Sequence, residues 1–428
     1  MSVNTVPISA PWIRRYWRDT ATWTTIADVF AILAALTLPW STTLPSIFVP
    51  CWLGAVAWVT DWRAFARLLQ QPICYVPVAF AGLAIVGTLW SDAAWSARLW
   101  SVGPLLKLLV LPGLFYHFAR SARGMWVFIA FLVSCALLML MSWVVLIDPG
   151  LSLKPPAERA PGIFVKNYID QSQEFALCAV ALAYPVIRLV QANRLWLAAL
   201  LVAVSLGFLA NMSFVIVSRT AMVTIPVMIA VFALLHLKWR TNLMISCGLV
   251  ILAGVVFAAS PLLQQKAEAI VSEYQTYKQE NVASSVGLRL EYWRKSLQFI
   301  AAAPIIGNGT GSTLGLFQKA ASGSGEAATA QVIRNPHNQT LAVAVQWGIA
   351  GIIMLYAMWF VHLRLFRGEG LTAWIGSLVV VQNIFTSLFN SHIFDFHEGW
   401  MYVLGVGIAG GMMLAERQRG TSAGRAGS

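Results

Sequence analysis

Charge is scarce in this chain. Only 11% of its 428 residues are charged against 58% hydrophobic, a ratio that excludes an ordinary soluble multi-domain protein. Cysteine supplies no framework either. Cys51, Cys74, Cys135, Cys178 and Cys247 all fall inside apolar runs and read as small hydrophobes, not as disulfides or metal ligands. No G-x-x-x-x-G-K-[ST] loop and no D-x-D pair occurs, which weighs against chemistry driven by ATP or by metal-bound nucleotide sugars. The first apolar run lacks a small-residue cleavage site, so no removed signal peptide is expected. "NSHIFDFHEGW" offers His392, Asp395, His397 and Glu398, but at a spacing that fits no familiar ligand pattern, and no metal is expected. "PIIGNGTGS" contains G-x-G-x-G without the strand–turn–helix setting of a dinucleotide site, and reads as a tight turn.

What is abundant is hydrophobic length. Runs able to cross a ~30 Å hydrocarbon core recur near 22–40, 44–60, 73–90, 95–118, 125–147, 173–190, 195–217, 221–237, 243–260, 338–362, 371–389 and 399–415. Twelve transmembrane helices are therefore expected, in an all-α polytopic integral membrane protein. The net charge of +12 would suit nucleic acid, but its placement argues for a membrane. Basic pairs mark every second connection: Arg63 and Arg67, Arg120 and Arg123, Arg188 and Arg194, Lys238 and Arg240, Arg364 and Arg367. Arg14, Arg15 and Arg18 precede the first run, and Arg417, Arg419 and Arg425 follow the last. The short turns between carry one basic residue, Arg219. The positive-inside rule then puts both termini in the cytoplasm.

Two long connections, 148–172 and 261–337, fall on the outer side. The chain divides into nine spans over 1–260, an outer loop over 261–337, three spans over 338–415 and a cytoplasmic tail over 416–428. In the outer loop, "LLQQKAEAIVSEYQTYKQE" has helical composition. "VGLRLEYWRKSLQFI" lines Val286, Leu290, Trp293, Leu297 and Ile300 along one apolar stripe, as for a helix lying on a membrane or docked on the bundle. "ASGSGEAATA" reads as a flexible connector.

Three ionisable residues on the outer side invite a chemical reading. Arg219 interrupts apolar sequence at a very short turn, where an arginine normally has a partner or a function. Arg289 stands beside the apolar stripe, where a bound anion explains a cation better than lipid does; Arg294 and Lys295 suit contacts with lipid phosphates. His337, behind Pro336 at the start of an apolar run, suits a general base near neutral pH. A structural histidine is the ordinary alternative. Only Lys107 among the cations lies deep in a span.

"RLEYWRKSLQFIAAAPIIGNGTGS" followed by "HNQTLAVAVQWGIAG" resembles the O-antigen ligase and polymerase superfamily of bacterial membrane glycosyltransferases. The resemblance is carried by Arg289, Trp293, Pro304, Gly307, Gly309, His337, Asn338, Leu341 and Gly348, with "SRTA" at Ser218 to Ala221. It implies a glycosyltransferase C-like helical fold in the bacterial inner membrane, with the active site facing the periplasm. It also implies the reaction: O-antigen carried on undecaprenyl diphosphate is moved en bloc to lipid A–core, without ATP, metal or other cofactor. His337 would activate or orient the acceptor hydroxyl, and Arg219 and Arg289 would neutralise the diphosphate. Trp293, Arg294, Lys295, Arg334, Asn335 and Asn338 become candidate substrate contacts, with Lys319, Lys166 and Arg159 beyond them. The expected partners are donor, acceptor and membrane lipids, and no nucleic acid. A polymerase or a protein O-oligosaccharyltransferase is the alternative within this chemistry. The short first outer loop favours a ligase over a polymerase, and the short tail counts against the protein transferase. A lipid-linked oligosaccharide transporter is the alternative from another class, and it would scatter polar residues at mid-membrane depth.

Overall fold

A helix occupies each of the twelve apolar segments. The computed structural model describes residues 19–216, 218–236, 239–323, 325 and 327–426. Arg14, Arg15, Arg18 and Lys238, used above to orient the chain, lie outside the described residues, as do the side chains of Arg219 and Arg425. The first helices are α1 (Thr20–Thr37), α2 (Thr43–Val59), α3 (Trp62–Leu69), α4 (Pro72–Val86), α5 (Trp95–Leu106), α6 (Leu111–Phe118) and α7 (Gly124–Ile147). Next come α8 (Tyr168–Ala181), α9 (Ala183–Gln191), α10 (Leu195–Phe214), α11 (Arg219–His236) and α12 (Trp239–Ala259). The long connection contributes α13 (Pro261–Glu280), α14 (Ser285–Ala302) and α15 (Ser312–Lys319), and α16 (Gln339–Leu365), α17 (Leu371–Thr386) and α18 (Phe396–Ala426) follow. Among the described residues there is no strand, only two isolated bridges.

Among the described residues, length and apolarity single out seven of these as able to cross a membrane: α1, α5 with α6, α7, α8 with α9, α10, α16 and α18. An eighth is α2 with α3, if a pair bent by 116° counts as one. The apolar helices α4 and α17 are shorter. Hydropathy therefore locates the segments correctly but not the bend. It also misses a helix start. Residues 168–172, assigned above to a loop, are the first turn and more of α8, because Asn167 caps it through Ile169 N–H (2.8 Å) and Asp170 N–H (3.0 Å).

Small residues set how closely the last helix packs. A Cβ on Gly407, Gly410 or Gly411 of α18 would fall within 2.6 Å of Leu114, Phe115 or Phe118 of α6. Close backbone approach of this kind is how helices associate where lipid offers no hydrophobic drive. The 148–167 and 260–338 connections share one end of the bundle: Ser142 Oγ donates to Gly162 O (2.7 Å) and Ser260 Oγ to Ser213 O (2.9 Å). The site described next lies there.

Candidate active site

The helix behind the histidine is broken, and the break is filled. At Gly348 α16 leaves helical geometry (φ 56°, ψ −149°), and the connection from α14 to α15 enters the gap. The N–H groups of Asn308 and Gly309 donate to the Val345 and Gln346 carbonyls (3.0 and 2.8 Å). In return Ile349 and Ala350 donate to the Pro304 and Ile305 carbonyls (2.9 and 3.2 Å). Backbone groups orphaned by the break are thus satisfied by protein, the condition for irregular backbone inside a membrane. Gly307 is needed because its Cβ would stand 2.4 Å from the Gln346 carbonyl carbon. The turn read from P-x-x-G-x-G is a plug. It fastens α14 to α16, and so Arg289 to His337.

His337 precedes α16 in a left-handed conformation (φ 55°), one that histidine and asparagine tolerate better than most residues. Asn338 begins the helix by accepting from Leu341 N–H (3.0 Å). Asn335 Oδ1 accepts from His337 N–H (2.9 Å) and from Ser391 Oγ (2.7 Å). The ring lies face to face with Tyr292 (centroids 6.2 Å, 29°), and its Nδ1 is 2.9 Å from Asn390 Oδ1. Burial pulls its pKa below the ordinary 6.5; the Asn390 bond opposes that and the nearby Arg289 charge adds to it. The imidazole is neutral at neutral pH.

Helix α14 buries the opposite face from the one its apolar stripe suggests. Gly287, Glu291, Tyr292, Lys295 and Ser296 are buried, whereas Leu297 of the stripe is exposed. The buried face is anchored electrostatically. Arg294 donates to both Glu291 oxygens (2.9 and 2.6 Å) and Lys295 Nζ to Thr329 O (2.7 Å), 3.6 Å from Glu291. Both cations are thus engaged with Glu291. Ala328 N–H donates to Asn281 O (2.7 Å), so residues 327–330 are pinned on the α13–α14 turn, in contrast to the flexible connector expected. Despite burial, Arg294, Tyr277 and Lys295 keep the Glu291 carboxyl below its ordinary value. Its contribution to stability is therefore present above pH 4.5 and lost as pH falls through the lower, folded value. Glu291→Gln leaves Lys295 buried without a carboxylate. It is expected to destabilise the folded protein by about 3–5 kcal/mol, read as thermal unfolding in detergent.

The remaining sequence candidates are more dispersed. Arg334 lays its guanidinium over Trp100 (5.0 Å). Arg219 opens α11. Trp293 keeps a buried Nε1 without a hydrogen-bond partner. Lys166 donates to the Leu38 carbonyl and pairs with Glu174 (3.2 Å), and Arg159 donates to Lys154 O (3.1 Å).

His392, Asp395 and Glu398 converge, with ligand atoms within 4.8 Å of one another. His397 turns away to Asp170 (2.8 Å). Positive charge is already present among the three. Lys107 Nζ donates to the Asp395 carbonyl, and against the cost of burial Glu398 and Asp395 push His392 up to about 10. Sequence reasoning missed Asn390 and Tyr292 as parts of this site. The polar pair Asn390–Ser391, closing an apolar run, was the one local signal for the first.

Residues 204–356 match the O-antigen ligase family model. The chain carries an O-antigen ligase family domain. The O-antigen ligase match takes in Arg219, Arg289, the plug, His337 and Gly348, and ends before Asn390 and Asp395. No curated protein matches the chain.

Proposed function

We propose that the protein transfers O-antigen from undecaprenyl diphosphate to lipid A–core at the periplasmic face of the inner membrane. The observation that supports this most is the placement of the His337 ring, its Nδ1 2.9 Å from Asn390 Oδ1 and the Arg289 charge nearby. The acceptor hydroxyl attacks the anomeric carbon as its proton passes to Nε2 of His337. The bond from that carbon to the phosphate oxygen breaks, and the diphosphate departs with the electron pair. Arg289 and Arg219 neutralise the charge that grows on the departing oxygen. Attack opposite the leaving group inverts the anomeric centre. No nucleotide enters, because the sugar–diphosphate bond supplies the energy. Twelve membrane crossings, with both termini cytoplasmic, complete the proposed topology.

Arg289→Lys keeps the charge and loses the two-pronged donor set that matches phosphate. Its kcat should fall roughly 10²-fold in correctly inserted protein; wild-type turnover would reduce Arg289 to an anchor. The function itself is tested with purified protein, undecaprenyl-diphosphate-linked glycan and lipid A–core. A ladder on lipid A–core supports the ligase, and lengthening of the lipid-linked glycan alone replaces it with a polymerase.

A further inference from the structure

The amide of Asn390 is held from both sides. Its Nδ2 donates to Asp395 Oδ2 (2.9 Å), and its Oδ1 faces His337 Nδ1 (2.9 Å) and Asn335 Nδ2 (3.4 Å). An ionised carboxylate only accepts, so turning the amide over would set oxygen against oxygen at Asp395 and an NH₂ against the Asn335 NH₂. The orientation is therefore fixed by chemistry and not merely assigned. An amide oxygen cannot donate, so Nδ1 of His337 carries the hydrogen. The lone pair is left on Nε2.

We propose that Asp395, acting through Asn390, is a positioning residue that sets the His337 tautomer and aims Nε2 at the acceptor hydroxyl. This rests on the reading of His337 as the base. Asp395 is itself constrained: Lys107 holds its backbone carbonyl and His392 Nδ1 lies 3.4 Å from its Oδ2. The segment between is laced to the start of α16. Asn338 Nδ2 donates to Leu388 O (3.1 Å), Gln339 N–H to Ser387 O (2.8 Å), and Ile393 N–H to Gln339 Oε1 (2.9 Å). Among the described residues, charged and titratable groups that face His337 include Arg289, Asp395, His392 and Tyr292. Asp395 is linked to the ring through a hydrogen-bonded amide. A second shell that locks an imidazole in this way typically changes activity roughly 10–100-fold when removed.

The test compares wild type, Asp395→Asn and the double variant Asp395→Asn with Asn390→Asp, each in nanodiscs with ¹⁵N-labelled histidine. Wild type should show His337 as the Nδ1–H tautomer. In Asp395→Asn the carboxylate restraint is gone and only the 3.4 Å Asn335 contact still opposes a turn of Asn390, so the second tautomer should appear beside the first. The kcat should drop roughly 10–100-fold with the donor KM little changed. In the double variant a carboxylate at position 390 accepts directly from Nδ1–H. The single tautomer and most of kcat should return when each protein is assayed at its own pH optimum. Asp395→Asn with an unaltered tautomer overturns the proposal. So does an Asp395→Asn loss that Asn390→Asp leaves unrepaired in a protein melting like wild type. If wild type transfers no glycan but the tautomers shift as stated, the positioning stands and the transferase reading fails.

Discussion

His337→Asn should lose roughly 10²–10⁴-fold in transfer while melting like the wild-type protein. Asparagine is the informative replacement, because it tolerates the left-handed backbone at this position (φ 55°) and removes only the basic ring. The pH dependence carries the same claim with a definite sign. Burial, reinforced by Arg289, holds the His337 pKa below 6.5, and a general base works only when unprotonated. The midpoint of the acid limb should lie below pH 6.5. A wild-type acid limb centred above 6.5, or undiminished transfer by His337→Asn, would take the base assignment away from this residue.

Gly348→Ala should have the largest effect on the fold. Its backbone angles (φ 56°, ψ −149°) belong to a region open essentially to glycine alone, and strain of that kind costs about 1–3 kcal/mol. An added Cβ would also stand 2.5 Å from the Ile305 carbonyl oxygen, where backbone must move to make room. A total destabilisation above about 3 kcal/mol is expected, with transfer lost in whatever protein still folds, because the plug sets α14 against α16. Gly82 in α4 is the control. Nothing lies within 4 Å of its Cβ position, and alanine there should match or slightly exceed wild-type stability. Equal melting of the Gly348 and Gly82 variants would show that the broken helix tolerates repair.

Much of this was legible in the sequence, and the physics says which parts. Apolar length finds helices because a hydrocarbon core demands it, and all twelve segments are helical. The Asn338 cap and the glycines at 307 and 348 are local requirements of backbone geometry, so residue type alone betrays them. Hydropathy carries no information on direction, however, and the 116° bend after Val59 passed unseen. The apolar stripe of α14 likewise names an apolar face without saying what meets it. The buried face is the one with Glu291 and Lys295, since a buried ion pair reads in sequence like any solvated helix surface. Arg294 and Lys295 stand out in the sequence as cations, and their partner Glu291 lies three and four residues away. The Asn390–Asp395 contact with His337 joins residues more than fifty positions apart, and nothing local announces such a meeting.

The order in which a ribosome delivers these parts follows from the links at the histidine. Lys107 emerges early, Arg289 and His337 much later, and Asn390 and Asp395 later still, just before α18. A nascent chain interrupted after α16 holds a histidine with no amide to orient it, and a buried lysine whose acceptor has not yet been made. The connection that precedes the last helix is therefore the last piece to join the surroundings of His337.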